Sequence, residues 1–539
     1  MKKRLMLAAA MPLAICLFSC HRVDPALNPI GLEEGDGTYD IDETVDNGGG
    51  SLHYEIFVRS FCDSDGDGIG DFLGVASKAQ YLEDLGVSTV WLMPVNPSPT
   101  YHGYDVNDYY AVNPEYGTME DFEQMLATLK EHGIEVVIDM VLNHSSAMNP
   151  WFLQSAQDFA SGDVSATSKA DWYVWSSQPQ TGYYQFPQTG MYYLGNFSFG
   201  MPDFNWDSQE FRAEVKDILA FWLQKGVAGY RFDAVRYFYE ESMPKNIEAM
   251  NYIAECCREV DPDAYLVGEN WTYSTDEYFG YYDSGFDSFF DFRCSADYSM
   301  TNNSLIRAAK GLSNCYSFAQ AVSSQISEVK KRRQTSYPSF FISNHDMNRS
   351  SASLYDDYAK SGANLIYLLP GTPYIYYGEE IAMNGIRGNE GTDVARRLPM
   401  SWGKGHEDED PGFPEPGYEY VLEYNEPVSQ GVYDQLEDPR SLVNHYRKLG
   451  QIRNSIPWIK EATTEAIDLN NRSLCCFRLL GAEGESLLVV VNVSELSIEA
   501  DVSSLGVEKI YDECDGIDLK ARLEGGKLGI PGYSVVVLE

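Results

Sequence analysis

The sequence predicts an α/β fold: a (β/α)8 TIM barrel with a small inserted domain after its third strand and a C-terminal antiparallel β-sandwich. Three observations predict it. From His53 onward, eight short runs rich in β-branched and aromatic residues alternate with segments of helical period, the pattern of parallel strands joined by crossover helices. Residues 145–206, between the third run and its helix, are dense in Trp, Tyr, Gln, Ser and Gly and far exceed an ordinary βα loop. After about residue 450 the period shortens to two, as in SLLVVVNVS and YSVVVLE, and no helical pattern remains.

The eight runs are 53–61, 87–95, 134–144, 228–235, 265–271, 287–292, 338–346 and 372–380. Helical candidates follow most of them, at 75–85, 119–132, 208–225, 244–259, 304–332, 357–369 and 441–455. The chain of 539 residues therefore divides into a barrel at 51–144 and 207–445, an insertion at 145–206 and a sandwich at 446–539. A barrel of this type does its chemistry at the C-terminal ends of its strands. His144, Asp233, Glu269 and Asp346 all fall at or near such ends.

The N-terminus sets an address. Met1-Lys2-Lys3-Arg4 precedes an apolar stretch from Leu5 to Phe18, which reads as a signal peptide over 1–19 and is too short for a permanent span. Leu17-Phe18-Ser19-Cys20 resembles a bacterial lipobox, which makes Cys20 the lipidated first residue of an exported protein held at the outer membrane. Residues 20–50 are then a lipidated N-terminus and a flexible tether, acidic and Gly-rich with little apolar periodicity. A net charge of −42 argues against a nucleic-acid partner, and a neutral sugar is compatible with it. The eight cysteines from Cys62 onward show no disulfide framework and are expected as buried thiols.

Hydrolysing a glycosidic bond with retention needs one carboxylate to attack the anomeric carbon and a second carboxyl, about 5 Å away, to protonate the leaving oxygen. Asp233 sits in GYRFDAVR, with Arg231 two residues earlier on the same strand face. Glu269 ends YLVGENW, where apolar neighbours favour a retained proton. Asp346, in FISNHD, is placed to stabilise developing positive charge or to grip sugar hydroxyls. Any one of these acids alone reads as a structural carboxylate. Three of them, each in a distinctive motif at a different strand end, do not.

DMVLNH (139–144), GYRFDAVR (229–236), GEN (268–270), FISNHD (341–346) and MPDFN (201–205) resemble the signature regions of glycoside hydrolase family 13, the α-amylase family, and the likeness runs from 51 to 539. The resemblance implies Asp233 as nucleophile, Glu269 as acid/base and Asp346 as transition-state stabiliser. It also implies that His144, Arg231, His345 and His102 hold the sugar at the cleavage point and that Tyr104 stacks on it. The implied substrate is an α-glucan such as starch or a maltooligosaccharide. A glycan-uptake complex is a separate partner expectation, which the resemblance does not imply. Tyr101, Met201 and Ala234 differ from the residues of α-1,6-trimming members, which favours endo attack on α-1,4 bonds. Neopullulanase- or cyclomaltodextrinase-like enzymes, exo α-glucosidases, transglycosylases and, remotely, a non-catalytic glucan-binding lipoprotein are the alternatives. Oligomeric state is not legible.

A second constellation follows the first strand. Asp63, Asp65, Asp67, the Ile69 carbonyl and Asp71 match the first five ligand positions of an EF-hand loop, although Gly74 stands where the bidentate Glu belongs. A structural Ca²⁺ is expected there. Many α-amylases carry another calcium ligand, and a Lys-His pair that contacts sugar beyond the cleavage point, just after the nucleophile. This chain has Arg236-Tyr237 instead.

Overall fold

The computed structural model describes residues 23–41, 50–239, 242–295, 304–389 and 391–539. Strands β1 (His53–Ile56), β2 (Thr89–Leu92) and β3 (Glu135–Met140) open a parallel sheet. Strands β4 (Trp175–Ser176), β5 (Tyr183–Gln185) and β6 (Tyr192–Leu194) form a small antiparallel sheet in the insertion. The parallel set continues with β7 (Gly229–Phe232), β8 (Tyr265–Gly268), β9 (Ser288–Phe289) and β10 (Tyr374–Tyr376). Its order is β10-β1-β2-β3-β7-β8-β9.

The two edges of this curled sheet meet through residues 339–341, because Phe290 pairs with Ser339 and Phe341 with Tyr374, both in parallel. The run 338–346, expected as a full strand, is thus reduced to two single-residue bridges. Pro338 has no N–H to offer at its start, and Ser339 adds side-chain bonds to Ser288 Oγ (2.6 Å) and Thr372 Oγ1 (2.8 Å). The predicted helix at 304–332 is likewise two helices, Ser304–Ala309 and Cys315–Arg332. Gly311 at φ +63° turns the chain between them, and Asn314 caps the second through Tyr316 N.

Alternation along the strands sorts the side chains. Ile56, Val90, Ile138, Tyr230 and Leu266 join the core between strands and helices. Trp91, Val137, Val267, Phe290, Phe341 and Tyr374 form a separate cluster that fills the barrel. On β3 the residue two past Val137 is Asp139, which pairs in register with Arg231 of β7. The inward rows that are apolar low in the barrel therefore become charged at its C-terminal mouth.

Strands β11 (Thr463–Ala466), β12 (Leu474–Leu480), β13 (Ser486–Asn492), β14 (Ile498–Asp501), β15 (Ile510–Cys514), β16 (Arg522–Glu524), β17 (Lys527–Ile530) and β18 (Ser534–Leu538) make two antiparallel sheets, β11-β12-β13-β18-β15 and β14-β17-β16. Cys476, Leu488 and Val490 face Leu528 and Ile530 in the sandwich, while Cys475, Val489 and Val491 belong to the main core. This explains the adjacent cysteines, whose side chains leave opposite faces of β12. All eight described cysteines are buried free thiols.

The reading of residues 20–50 as a flexible tether needs correction over 23–41. Ser497 and Lys520 donate backbone N–H groups to Leu27 O and Glu33 O, and Gly35 N donates to Asp518 O (2.9, 2.9 and 2.8 Å). Leu32 and Tyr39 are buried, and the Tyr39 hydroxyl lies 2.9 Å from His445 Nδ1. Isolated apolar residues give no periodic signal, yet they bury well on a surface formed by the rest of the chain. The signal peptide, Cys20 and residues 42–49 lie outside the described residues.

Candidate active site

One guanidinium organises the mouth of the barrel. Arg231 Nη1 donates to both oxygens of Asp139 (2.9 and 3.0 Å) and to Asp233 Oδ1 (2.8 Å), and its Nη2 lies 3.2 Å from Glu269 Oε1. The placement follows from the sheet. Asp233 N donates to Met140 O, and Glu269 N to Phe232 O, so both acids continue the ladder one step beyond their strands. Arg231 itself is 1% exposed and packs against the Trp91 ring at 5.1 Å.

Ala234 tightens this arrangement. Its φ of +49° lies in the left-handed region that a non-glycine residue adopts only under constraint. That turn aims its N–H at Glu269 Oε2, 3.0 Å away. Glu269 is thus gripped on both oxygens.

Asp346 is held from the opposite side. Arg397 Nη2 donates to its Oδ1 at 2.8 Å, and His345 Nε2 lies 3.1 Å from its Oδ2. His345 Nδ1 donates to Glu55 Oε1 (2.5 Å). The Tyr104 hydroxyl lies 2.7 Å from His345 Nε2 and donates to Asp139 Oδ2 at 3.0 Å. The Tyr104 ring stacks on both His345 and His102 (centroids 5.5 and 6.1 Å). Asp233, Glu269, Asp346, His102, Tyr104 and His144 all line a single cleft of about 860 Å³.

Five carboxyl groups, Glu55, Asp139, Asp233, Glu269 and Asp346, share this site with three cations, Arg231, Arg397 and His345. Retained protons relieve part of the excess negative charge. Burial, reinforced by Asp233, pushes Glu269 up to about 7, against the pull of Arg231. Burial likewise raises Asp139 to about 6. Asp346 goes the other way: burial opposes ionisation, but His345 and Arg397 overcome it and hold the carboxyl well below its usual range. His345 is the mirror case, raised to about 10 by Asp346 and Glu55 despite burial. His102 is lowered to about 4 and His144 is also lowered, both chiefly by burial. The neutral imidazole of His144 keeps a buried Nε2 without a protein partner, which suits it to a ligand hydroxyl.

The raised Glu269 carries a stability consequence. Its unfolded-state value is near 4.5 and its folded value about 7, so the folded protein keeps this proton while the unfolded chain loses it. The stability it favours is fully present below pH 4.5 and is lost as pH rises through 7. Glu269→Gln, which cannot ionise, is expected to be about 2–3 kcal/mol more stable than the parent at pH 8 and nearly equal to it at pH 4.5. Denaturant melts at the two pH values check this, and a constant difference would contradict it.

The Asp-rich loop lies elsewhere, after β1. Carboxylate oxygens of Asp63, Asp65 and Asp71 come within 4.8 Å of one another. Asp67 stands apart from this group and accepts from Ile69 N at 2.7 Å. Asp63 and Asp71 are buried, and they also accept backbone N–H groups from Gly68 and Gly74.

The sequence reading missed Glu55, Asp139 and Arg397. Asp139 stands inside DMVLNH, Arg397 opens the run Arg397-Leu398-Pro399-Met400-Ser401-Trp402, and the period of two along β3 places Asp139 on the inward row. Glu55 carried the same signal, two residues past His53.

Residues 55–462 match the family model for the α-amylase catalytic domain. The chain belongs to glycoside hydrolase family 13. Within the family, it is 35% identical to α-amylase 3 of Dictyoglomus thermophilum over 500 residues, 91% of this chain and 93% of that protein. The glucan 1,6-α-glucosidase of Streptococcus pneumoniae is 28% identical over 526 residues, covering 84% of this chain and 94% of its own length. The solved structure of Eubacterium rectale Amy13B superposes with a TM-score of 0.84 at 34% identity, covering 92% of this chain and 97% of that one. A family 13 glycosidase with α-amylase and α-glucosidase relatives is therefore the setting for the carboxyl cluster.

Proposed function

We propose that this family 13 enzyme is a retaining, endo-acting α-amylase that hydrolyses α-1,4-glucosidic bonds of starch, glycogen or maltodextrins. The observation that carries the reading is the single Arg231 guanidinium gripping Asp233 and Glu269 at the floor of the cleft. Asp233 attacks the anomeric carbon while its charge-assisted bond to Arg231 fixes the attacking oxygen. Glu269, protonated up to about pH 7, gives its proton to the leaving oxygen and later takes one from water. Asp346, kept ionised by His345 and Arg397, faces the charge that develops on the sugar ring. Tyr101, Met201 and Ala234, the residues that depart from α-1,6-trimming members, all line this cleft.

The test is a product time course. Soluble starch is expected to give a ladder of maltooligosaccharides early on, with little cleavage of the α-1,6 bonds of pullulan. Glucose as the sole early product would overturn the endo reading.

The Asp63 loop holds Ca²⁺ in this reading. Among the described residues it is the one trio of metal-ligating side chains that comes so close together, and hard carboxylate oxygens suit that ion. The ion stabilises the loop and takes no part in proton transfer. Removal of Ca²⁺ by chelator is expected to lower Tm by about 5 °C, reversed by Ca²⁺ and abolished in Asp63→Ala. An unmoved Tm would exclude the site. Export with a lipid on Cys20 would present this enzyme to glucans at the outer membrane, where a glycan-uptake complex could take its products.

A further inference from the structure

Asp346 differs from the other two acids in how its backbone is held. Asp233 N donates to Met140 O and Glu269 N to Phe232 O, so the sheet itself fixes both residues. Among the described residues no strand or bridge pairs with Asp346, and the last bridge of its segment is at Phe341. Its N–H donates instead to Asn344 Oδ1 (3.0 Å), within its own turn. A carboxylate is placed no better than the backbone that carries it.

Two adjacent arginines make up for the missing ladder. Arg397 Nε donates to His345 O at 3.2 Å, while its Nη2 takes the Asp346 carboxylate. Arg396 Nη1 donates to the carbonyl oxygen of Asp346 itself, at 2.5 Å. Unlike Arg397, Arg396 does not line the cleft, and it is buried. Its side chain is anchored by Asn348 Oδ1, which accepts from Nε at 3.1 Å, and by Asp393 Oδ1, which accepts from Nη1 at 2.7 Å. Its backbone carbonyl accepts from Arg349 Nε (3.1 Å) and from the hydroxyl of Tyr376 on β10 (3.0 Å). A line of bonds therefore runs from β10 through Arg396 to the backbone of Asp346. A buried ion pair is weak evidence for stability, so what Arg396 holds matters more than what it adds to folding.

We propose that Arg396 is a positioning residue for Asp346, and that by holding the Asp346 carbonyl it fixes where that carboxylate stands against the sugar ring. The inference rests on the role proposed above for Asp346. Electrostatic stabilisation of a transition state depends on charges that are already in place, and a misplacement of about 1 Å costs on the order of 10²-fold. Arg397 and His345 grip the carboxylate, and the Arg396 bond supplies a fixed point on the backbone of the same residue. Because Arg396 does not line the cleft, its loss acts on the reaction through Asp346.

The test is a double-mutant cycle on the whole enzyme with α-glucosyl fluoride, which occupies only the cleavage point and does not depend on the bond cut in longer substrates. Arg396→Gln is expected to lower kcat about thirtyfold, with KM within about threefold of the parent. In an Asp346→Asn background the charge to be placed is gone, and the same substitution is expected to lower kcat by less than about threefold. Asn348→Ala removes one anchor and leaves the buried guanidinium in place. It is expected to show the same pattern at about fivefold, and it carries the test should the Arg396 variant not fold. Equal losses in the two backgrounds would make the role purely structural and overturn the proposal, as would an unchanged kcat in both single variants. An Asp346→Asn enzyme as fast as the parent would overturn it at its base, the role of Asp346. Failure of the α-1,4 reading would look different, as absence of starch cleavage by the parent enzyme, and the cycle on the fluoride would still report on Arg396.

Discussion

Asp233→Asn is expected to lower kcat on maltoheptaose by on the order of 10⁴-fold or more while leaving the fold intact. The amide oxygen can still accept from Arg231 Nη1, which lies 2.8 Å from Asp233 Oδ1 in the parent. The buried guanidinium also keeps Asp139 as a partner. What disappears is the nucleophile, since an uncharged amide does not form a stable ester at the anomeric carbon. A loss below tenfold would remove Asp233 from the mechanism, and an unchanged circular dichroism spectrum separates chemistry from unfolding.

Arg231→Lys is expected to cost both activity and stability, by on the order of 10³-fold in kcat and about 3–5 kcal/mol. One planar fork reaches Asp139, Asp233 and Glu269 together. A lysine ammonium has a different shape and cannot replace it. Three carboxyl groups would then share a buried site with too little positive charge, and Glu269 would keep its proton to still higher pH. The contrast with Glu269→Gln is sharp, because both variants lose activity but only the arginine variant loses stability at pH 8. Urea melts of the two proteins decide this, and a fully stable Arg231→Lys would contradict the charge balance described for the site.

Much of this site was legible because its acids end strands. Asp233, Glu269 and Asp346 each follow a β-branched or aromatic run, and barrel geometry alone brings such ends together. Glu55 and Asp139 escaped notice because their importance depends on register. Only the pairing of Asp139 with Arg231 shows that one side chain serves three carboxyl groups. The left-handed turn at Ala234 has no signal in its residue type. The strand at 338–346 was overcalled because its aromatic composition outweighed Pro338, and the segment 23–41 was undercalled because its contacts are with distant residues such as His445 and Asp518. The departure at Arg236-Tyr237 was visible, but its meaning came from Arg236 being bound to Glu277.

The central claim is that Asp233 carries the sugar while Glu269 moves the proton. In Glu269→Gln the first step still proceeds with α-maltosyl fluoride, whose leaving group needs little protonation, whereas attack by water is slowed. Mass spectrometry of the quenched, digested variant is expected to find one maltosyl unit on the peptide containing Asp233. A maltosyl unit on any other peptide, or fluoride release with an unmodified Asp233 peptide throughout, would contradict the account.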